Sequence, residues 1–194
     1  QNSLYLIIIF SYFKMKRVFK LNKKKGILFW ITGLSGSGKS SIAKEIWPTV
    51  KKIYGPTILV NGDNMREIFN LNKYDRNSRF ENSMNFSKFS EYVTNQGINI
   101  IFANIGMFHK ARKRNRSRIE NYIEIYLKTE LRQIINRGKK KIYKRKINNI
   151  VGKDIKAELP TSPDIKIENN FEKNIKQLSK EIIKDIKRII NGKN

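Results

Sequence analysis

Gly33-Leu34-Ser35-Gly36-Ser37-Gly38-Lys39-Ser40 is a complete G-x-x-x-x-G-K-[ST] phosphate loop. The apolar, β-rich run Ile27-Leu28-Phe29-Trp30-Ile31-Thr32 precedes it. The helix-like run Ser41-Ile42-Ala43-Lys44-Glu45-Ile46-Trp47 follows. Strand, glycine loop and helix in that order are the context such a loop needs. The glycines let successive backbone N–H groups converge on one point, and the helix start adds its partial positive charge there. Lys39 can then reach the β- and γ-phosphates of a nucleotide, and Ser40 can bind Mg²⁺. The ATP-binding set is Gly33, Leu34, Ser35, Gly36, Ser37, Gly38, Lys39, Ser40 and Ser41.

Outward from the loop, strands and helices alternate. Residues 57–60 read as a second strand that ends at Asn61-Gly62-Asp63-Asn64, with a short helix over 65–70. A polar, turn-like stretch covers 71–79, and a helix spans about 80–95. Strands at 98–103 and 122–127 flank a basic helix over about 108–121, and a helix follows at 130–137. Residues 138–163, with the lysines Lys139-Lys140-Lys141, read as a mobile basic excursion. A last short strand at 165–167 precedes a helix over 171–190, whose stripe is Ile175, Leu178, Ile182, Ile186 and Ile189. The fold class is α/β: three α/β/α layers around a mainly parallel sheet, with the site at the strand C-termini.

The chain has 194 residues, enough for one domain with a real core. It has no cysteine, which removes disulfides, zinc-thiolate sites and cysteine nucleophiles and fits a cytoplasmic location. Lys and Arg number 41 against 16 Asp and Glu, a formal net charge of +25 that attracts polyanions. The abundance of Lys, Asn and Ile is equally the imprint of an AT-rich genome. The apolar stretch Leu4-Tyr5-Leu6-Ile7-Ile8-Ile9-Phe10 is too short to span a bilayer and lacks the flanks of a signal peptide. Residues 1–25 are therefore read as an N-terminal extension, disordered or outside the native protein, with Met15 an alternative start. Asn72-Lys73-Tyr74-Asp75 mimics a guanine-reading N-K-x-D motif but lies too close behind the phosphate loop, and is read as coincidence.

The stretch from Phe29 to Ser40 resembles the opening of the adenylylsulfate (APS) kinase family. The likeness continues in Val60-Asn61-Gly62-Asp63-Asn64-Met65-Arg66, in Arg79-Phe80-Glu81-Asn82, and in Ala157-Glu158-Leu159-Pro160-Thr161-Ser162-Pro163-Asp164. The resemblance makes residues 26–194 a P-loop nucleotide kinase domain. It implies transfer of the γ-phosphoryl of MgATP to the ribose 3′-hydroxyl of APS, giving PAPS in sulfate activation. Catalytic candidates are Asp63, as base or orienter of the hydroxyl, and Lys39. Asp63 as a mere helix cap stays open. Acceptor contacts carry over to Asp63, Arg66, Arg79, Asn82, Ile105 and Phe108, and lid arginines to Arg132 and Arg137. The metal ligand is Ser40. ATP and Mg²⁺ are the expected cofactors. The partners are a small nucleotide and a second copy in a homodimer, with neither membrane nor specific nucleic acid.

Departures from the family pattern cluster in the acceptor half. The family's Ile-Ser-Pro-Phe/Tyr-Arg is Ile105-Gly106-Met107-Phe108-His109, although Phe108 and Arg112 remain. His109 is read as a substituted acceptor-site residue. The adenine-stacking aromatic of Asn-Phe-Thr-Gly is lost at Asn149-Ile150-Val151-Gly152, Arg-Arg is Met84-Asn85, and the first Asp of Asp-Gly-Asp-Asn is Asn61. Two alternatives therefore stand beside APS. One is a related nucleotide such as cytidine diphosphoramidate, used in capsule polysaccharide modification. The other is a basic nucleic-acid-binding protein on a degenerate kinase fold.

Overall fold

The computed structural model describes residues 21–138 and 149–192. In chain order the elements are β1 (Ile27–Thr32), α1 (Lys39–Tyr54), β2 (Thr57–Asn61), α2 (Gly62–Ile68), α3 (Arg76–Asn95), β3 (Asn99–Ala103), α4 (His109–Arg118), β4 (Asn121–Lys128), α5 (Leu131–Arg137), β5 (Ile165–Glu168) and α6 (Ile175–Ile190). The strands lie in the order β2-β3-β1-β4-β5, and every pairing is parallel. The phosphate-loop strand β1 is thus central, with Phe29 between Ile101 of β3 and Ile123 of β4.

All six residues of β1 are buried, as a parallel strand covered on both faces requires. Ile27, Phe29 and Ile31 face a layer built by α1 and α6. Leu28 and Trp30 face the opposite layer, which Phe86 and Val93 of α3 supply. Phe29 is completely enclosed, so truncating it to alanine would cost about 3–5 kcal/mol. Leu178, Ile182 and Ile186 recur at helical spacing on α6 and seat it beside α1.

Four boundaries differ from the sequence expectation, each for a local reason. Helix α2 starts three residues early because Asn61 caps it, its side chain accepting the Asn64 N–H. Helix α3 starts at Arg76 because Asp75 accepts the Ser78 N–H at 3.0 Å. Helix α4 stops at Arg118, where Ile119 turns extended. Helix α6 waits until Ile175 because Phe171 has a positive φ and Asn174 and Gln177 form a capping box.

Of the excursion expected at 138–163, the described residues from 149 onward include a packed segment. Ile150 and Val151 are 2 % exposed and pack into two small apolar clusters at the mouth of the sheet. The lysines 139–141 and the apolar stretch 4–10 lie outside the described residues. Among the described residues no helix is long and apolar enough to cross a membrane.

Candidate functional site

The C-terminal edge of the sheet carries a cleft of about 550 Å³. The phosphate loop forms one side, and the Asn61–Asp63 tip, α3 and residues 103–108 form the other.

Gly33 leaves β1 pressed against β4; a Cβ there would lie 2.5 Å from the Leu127 carbonyl oxygen. Leu34 turns inward onto the Val151 and Ile150 clusters. Ser37 is buried, and its carbonyl accepts from Asn169 Nδ2 at 2.8 Å. Ser35, Gly36, Gly38, Lys39, Ser40 and Ser41 line the cleft; Gly33, Leu34 and Ser37 stand behind them as scaffold. No side chain caps α1, and its first turn has no acidic residue. Its leading N–H groups are therefore open to an anion. Lys39 is 8 % exposed and donates from Nζ to the Leu34 carbonyl at 2.6 Å, a bond a phosphate oxygen can replace.

Across the cleft, Asp63 sits exposed in the first turn of α2. Asn61 does the capping, so the cap reading of Asp63 fails. Its carboxylate makes no hydrogen bond or ion pair with another described residue.

Arg66 and Arg79 both stack on Tyr74, at 4.5 and 5.2 Å from the ring centroid. Arg66 also donates to the carbonyls of Leu71 and Lys73, and Arg79 to those of Tyr74 and Asn149. Burial, then the neighbouring Arg66 charge, push the Arg79 pKa down from the usual arginine value. Tyr74 lines the cleft, and no sequence reading had placed it in the site. The available signal was an aromatic residue in a turn between two arginines. Asn72–Asp75 is therefore neither a base reader nor idle: Asp75 caps α3 while Tyr74 braces the arginines.

Asn82 and Ser83 are buried on α3 and line the same wall, as does Asn104 after β3. Ser83 Oγ and Asn104 Nδ2 have no hydrogen-bond partner among the described residues. Ile105 and Phe108 also line the cleft, with Phe108 edge-on to Phe80 at 5.3 Å. His109 does not line it; its Nδ1 accepts from Arg112 at 2.8 Å, which corrects the acceptor-site reading of that residue. Arg112 is buried too, with Nε 3.2 Å from Glu124. Burial pushes the Glu124 carboxyl up, while Arg112 and Arg116 pull against that rise.

The two lid candidates part company. Arg137 reaches the cleft and lies 4.3 Å over the Phe171 ring, beside a second hollow of about 250 Å³ next to the phosphate loop. Arg132 points to solvent and pairs with Glu130 at 2.6 Å. No cluster of His, Cys, Asp or Glu suited to a metal occurs among the described residues. A magnesium ion would depend on Ser40 and Asp63, both in the cleft, together with nucleotide oxygens and water. That oxygen-only set fits an ion that keeps most of its hydration.

Residues 25–168 match the adenylylsulphate kinase family. The cytidine diphosphoramidate kinase of Campylobacter jejuni is 33% identical over 84% of this chain and 98% of its own length. The adenylyl-sulfate kinase of Clostridium kluyveri is 33% identical over 79% of this chain and 80% of its own. Among solved structures, the Mycobacterium tuberculosis APS kinase in complex with AMPPNP and APS superposes with a TM-score of 0.75. It is 25% identical over 84% of this chain and 98% of its own.

Proposed function

The chain belongs to the adenylylsulphate kinase family, and on that premise we propose that it phosphorylates the ribose 3′-hydroxyl of a nucleotide of the cytidine diphosphoramidate type. It is a nucleotide kinase, a phosphotransferase with ATP as donor and an alcohol group as acceptor. The acceptor reading is carried by the contrast between the two halves of the cleft. The donor half keeps every phosphate-loop residue. In the acceptor half, aliphatic Ile150 and Val151 line the cleft where APS kinases carry an aromatic, and residues 105–108 are recut around Gly106. The likeness to the Campylobacter kinase over nearly its full length supports the same reading. APS is the second reading, because Asp63, Arg66, Arg79 and Asn82 all remain on the cleft.

In the proposed reaction the ATP phosphates rest on the open N–H groups at the start of α1. Lys39 leaves the Leu34 carbonyl to neutralise charge on the β- and γ-oxygens. Asp63, unpaired among the described residues and on the same cleft as the loop, aligns the 3′-hydroxyl and accepts its proton. Arg66 and Arg79 hold the acceptor's phosphate bridge. Ser40 would hold a magnesium ion, which would supply further neutralisation of the phosphate oxygens.

A coupled ADP-release assay with cytidine diphosphoramidate and APS side by side tests the acceptor. The expected result is a higher kcat/KM for cytidine diphosphoramidate. Preference for APS would hand the site to the second reading.

A further inference from the structure

Residues 105–108 are short of internal bonds and depend on what lies behind them. Gly106 has φ +55°, in the left-handed region. A Cβ at that position would lie 2.7 Å from both Asn104 Oδ1 and Thr32 Oγ1, and 2.9 Å from Trp30 Nε1. Only glycine combines that backbone with that space. The shape is then pinned from behind: Thr32 Oγ1 donates to the Ile105 carbonyl at 2.5 Å, and the Arg112 side chain holds the rest. Arg112 Nη1 donates to the Gly106 carbonyl, Nη2 donates to the Glu158 carbonyl, and Nε faces Glu124 of β4 at 3.2 Å. Arg112 is 4 % exposed and does not line the cleft.

Glu158 closes the clamp from the other side. Its N–H donates to the Met107 carbonyl at 2.9 Å. Its carboxylate accepts from the His109 N–H and from Arg76, each at 2.7 Å. A buried guanidinium therefore ties three separate segments together at the back of one cleft wall. The flat fork of arginine suits this; an ammonium on a flexible stem cannot hold two carbonyls and a carboxylate in fixed directions.

We propose that Arg112 is a positioning residue for the acceptor nucleotide: it sets residues 105–108 so that Ile105 and Phe108 present the acceptor-facing surface. The recut wall thereby becomes a specificity element whose shape depends on Gly106 and Arg112. The inference rests on the nucleotide-kinase reading of the cleft and extends it to a residue that touches no substrate.

The test compares Arg112→Lys and Arg112→Met in the full chain. Lysine keeps a cation beside Glu124 but loses the fork and its two carbonyl bonds, so its Tm falls, though less than that of the methionine variant, which loses the charge as well. Its KM for the acceptor rises about tenfold, while its KM for ATP stays within about twofold, because the phosphate loop is untouched. Hydrogen exchange at residues 105–109 and 157–158 speeds up in the lysine variant and stays unchanged at residues 33–41. The methionine variant shows the same acceptor defect with a lower Tm. A purely structural arginine would behave otherwise: lysine would restore Tm, acceptor KM and exchange together, and that result overturns the proposal. So does an equal rise in both KM values. If the parent turns over neither nucleotide, the acceptor assignment falls, and exchange at residues 105–109 still decides the role of Arg112.

Discussion

Asn169 Nδ2 donates to the carbonyl oxygen of Ser37 at 2.8 Å, so the turn after β5 holds the phosphate loop from behind. The same side chain accepts the Phe171 N–H through Oδ1 at 3.1 Å, and Asn169 is only 3 % exposed. The loop's shape is therefore set partly by a residue remote in sequence. Asn169→Ala should lower stability by about 1–3 kcal/mol, since it strands a buried carbonyl and a half-buried N–H. It should also raise the KM for ATP while leaving the acceptor KM unchanged. Denaturant unfolding and steady-state kinetics on one preparation check both halves.

Lys39 is the direct test of donor chemistry. Its ammonium lies in the cleft, held meanwhile by the Leu34 carbonyl. Lys39→Ala should reduce phosphoryl transfer by about 10²-fold or more, because the charge on the β/γ-oxygens loses its fixed counter-charge. Turnover equal to the parent in the ADP-release assay would remove Lys39 from the mechanism.

Asp63 and Asn61 separate chemistry from capping within one short helix. Asn61 accepts the Asn64 N–H at 2.8 Å, whereas the Asp63 carboxylate is exposed and unpaired among the described residues. Asp63→Asn should abolish most turnover while shifting stability by less than about 1 kcal/mol. Asn61→Ala should do the reverse, costing about 1 kcal/mol with turnover largely retained. Thermal unfolding beside turnover distinguishes the pair; a destabilised but active Asp63→Asn protein would contradict the assignment.

The clamp behind the acceptor wall has a defined pH range. Burial works to raise the Glu158 carboxyl, but the His109 N–H and Arg76 outweigh it and hold its pKa below the ordinary glutamate value. A depressed carboxylate contributes stability that is complete above its unfolded pKa and lost as pH falls through the folded one. The Tm gap between the parent and Glu158→Gln should therefore be constant from neutral pH down to the ordinary carboxylate range, and close only in stronger acid. A gap that closes between pH 6 and 8 would mean that another group, not Glu158, sets it.

The layers of the fold were legible because burial on both faces writes itself as continuous apolar runs. Phe29 and Ile101 are read as strand residues and sit side by side in the sheet. The donor half of the candidate site was legible because its residues are consecutive, although Asn169 holds the loop from outside that run. The remainder depended on distant partners. Asn169 and Arg112 act through a few specific hydrogen bonds to segments remote in sequence, which leave no periodicity. Ile150 and Val151 follow a lysine-rich stretch that masked their burial. The start of α3 was misplaced because its apolar pattern begins at Phe80, whereas the Asp75 cap stands a full turn earlier.

Tyr74 supplies the last test, because two cations lean on one ring. Arg66 and Arg79 lie 4.5 and 5.2 Å from its centroid, and Tyr74 is 51% exposed and lines the cleft. Each such contact contributes about 0.5–1 kcal/mol at an exposed site, so stability is hardly at stake. What the ring fixes is direction: without it the two guanidinium groups keep their carbonyl bonds but lose the surface that separates them. Tyr74→Ala should therefore raise the acceptor KM about three- to tenfold at nearly constant kcat and ATP KM, as expected when an interaction common to ground and transition states is removed. Tyr74→Phe should behave like the parent, because the stacking uses the ring face and not the hydroxyl. An alanine variant with an unchanged acceptor KM would show that the carbonyls of Leu71, Lys73 and Asn149 orient the arginines without help.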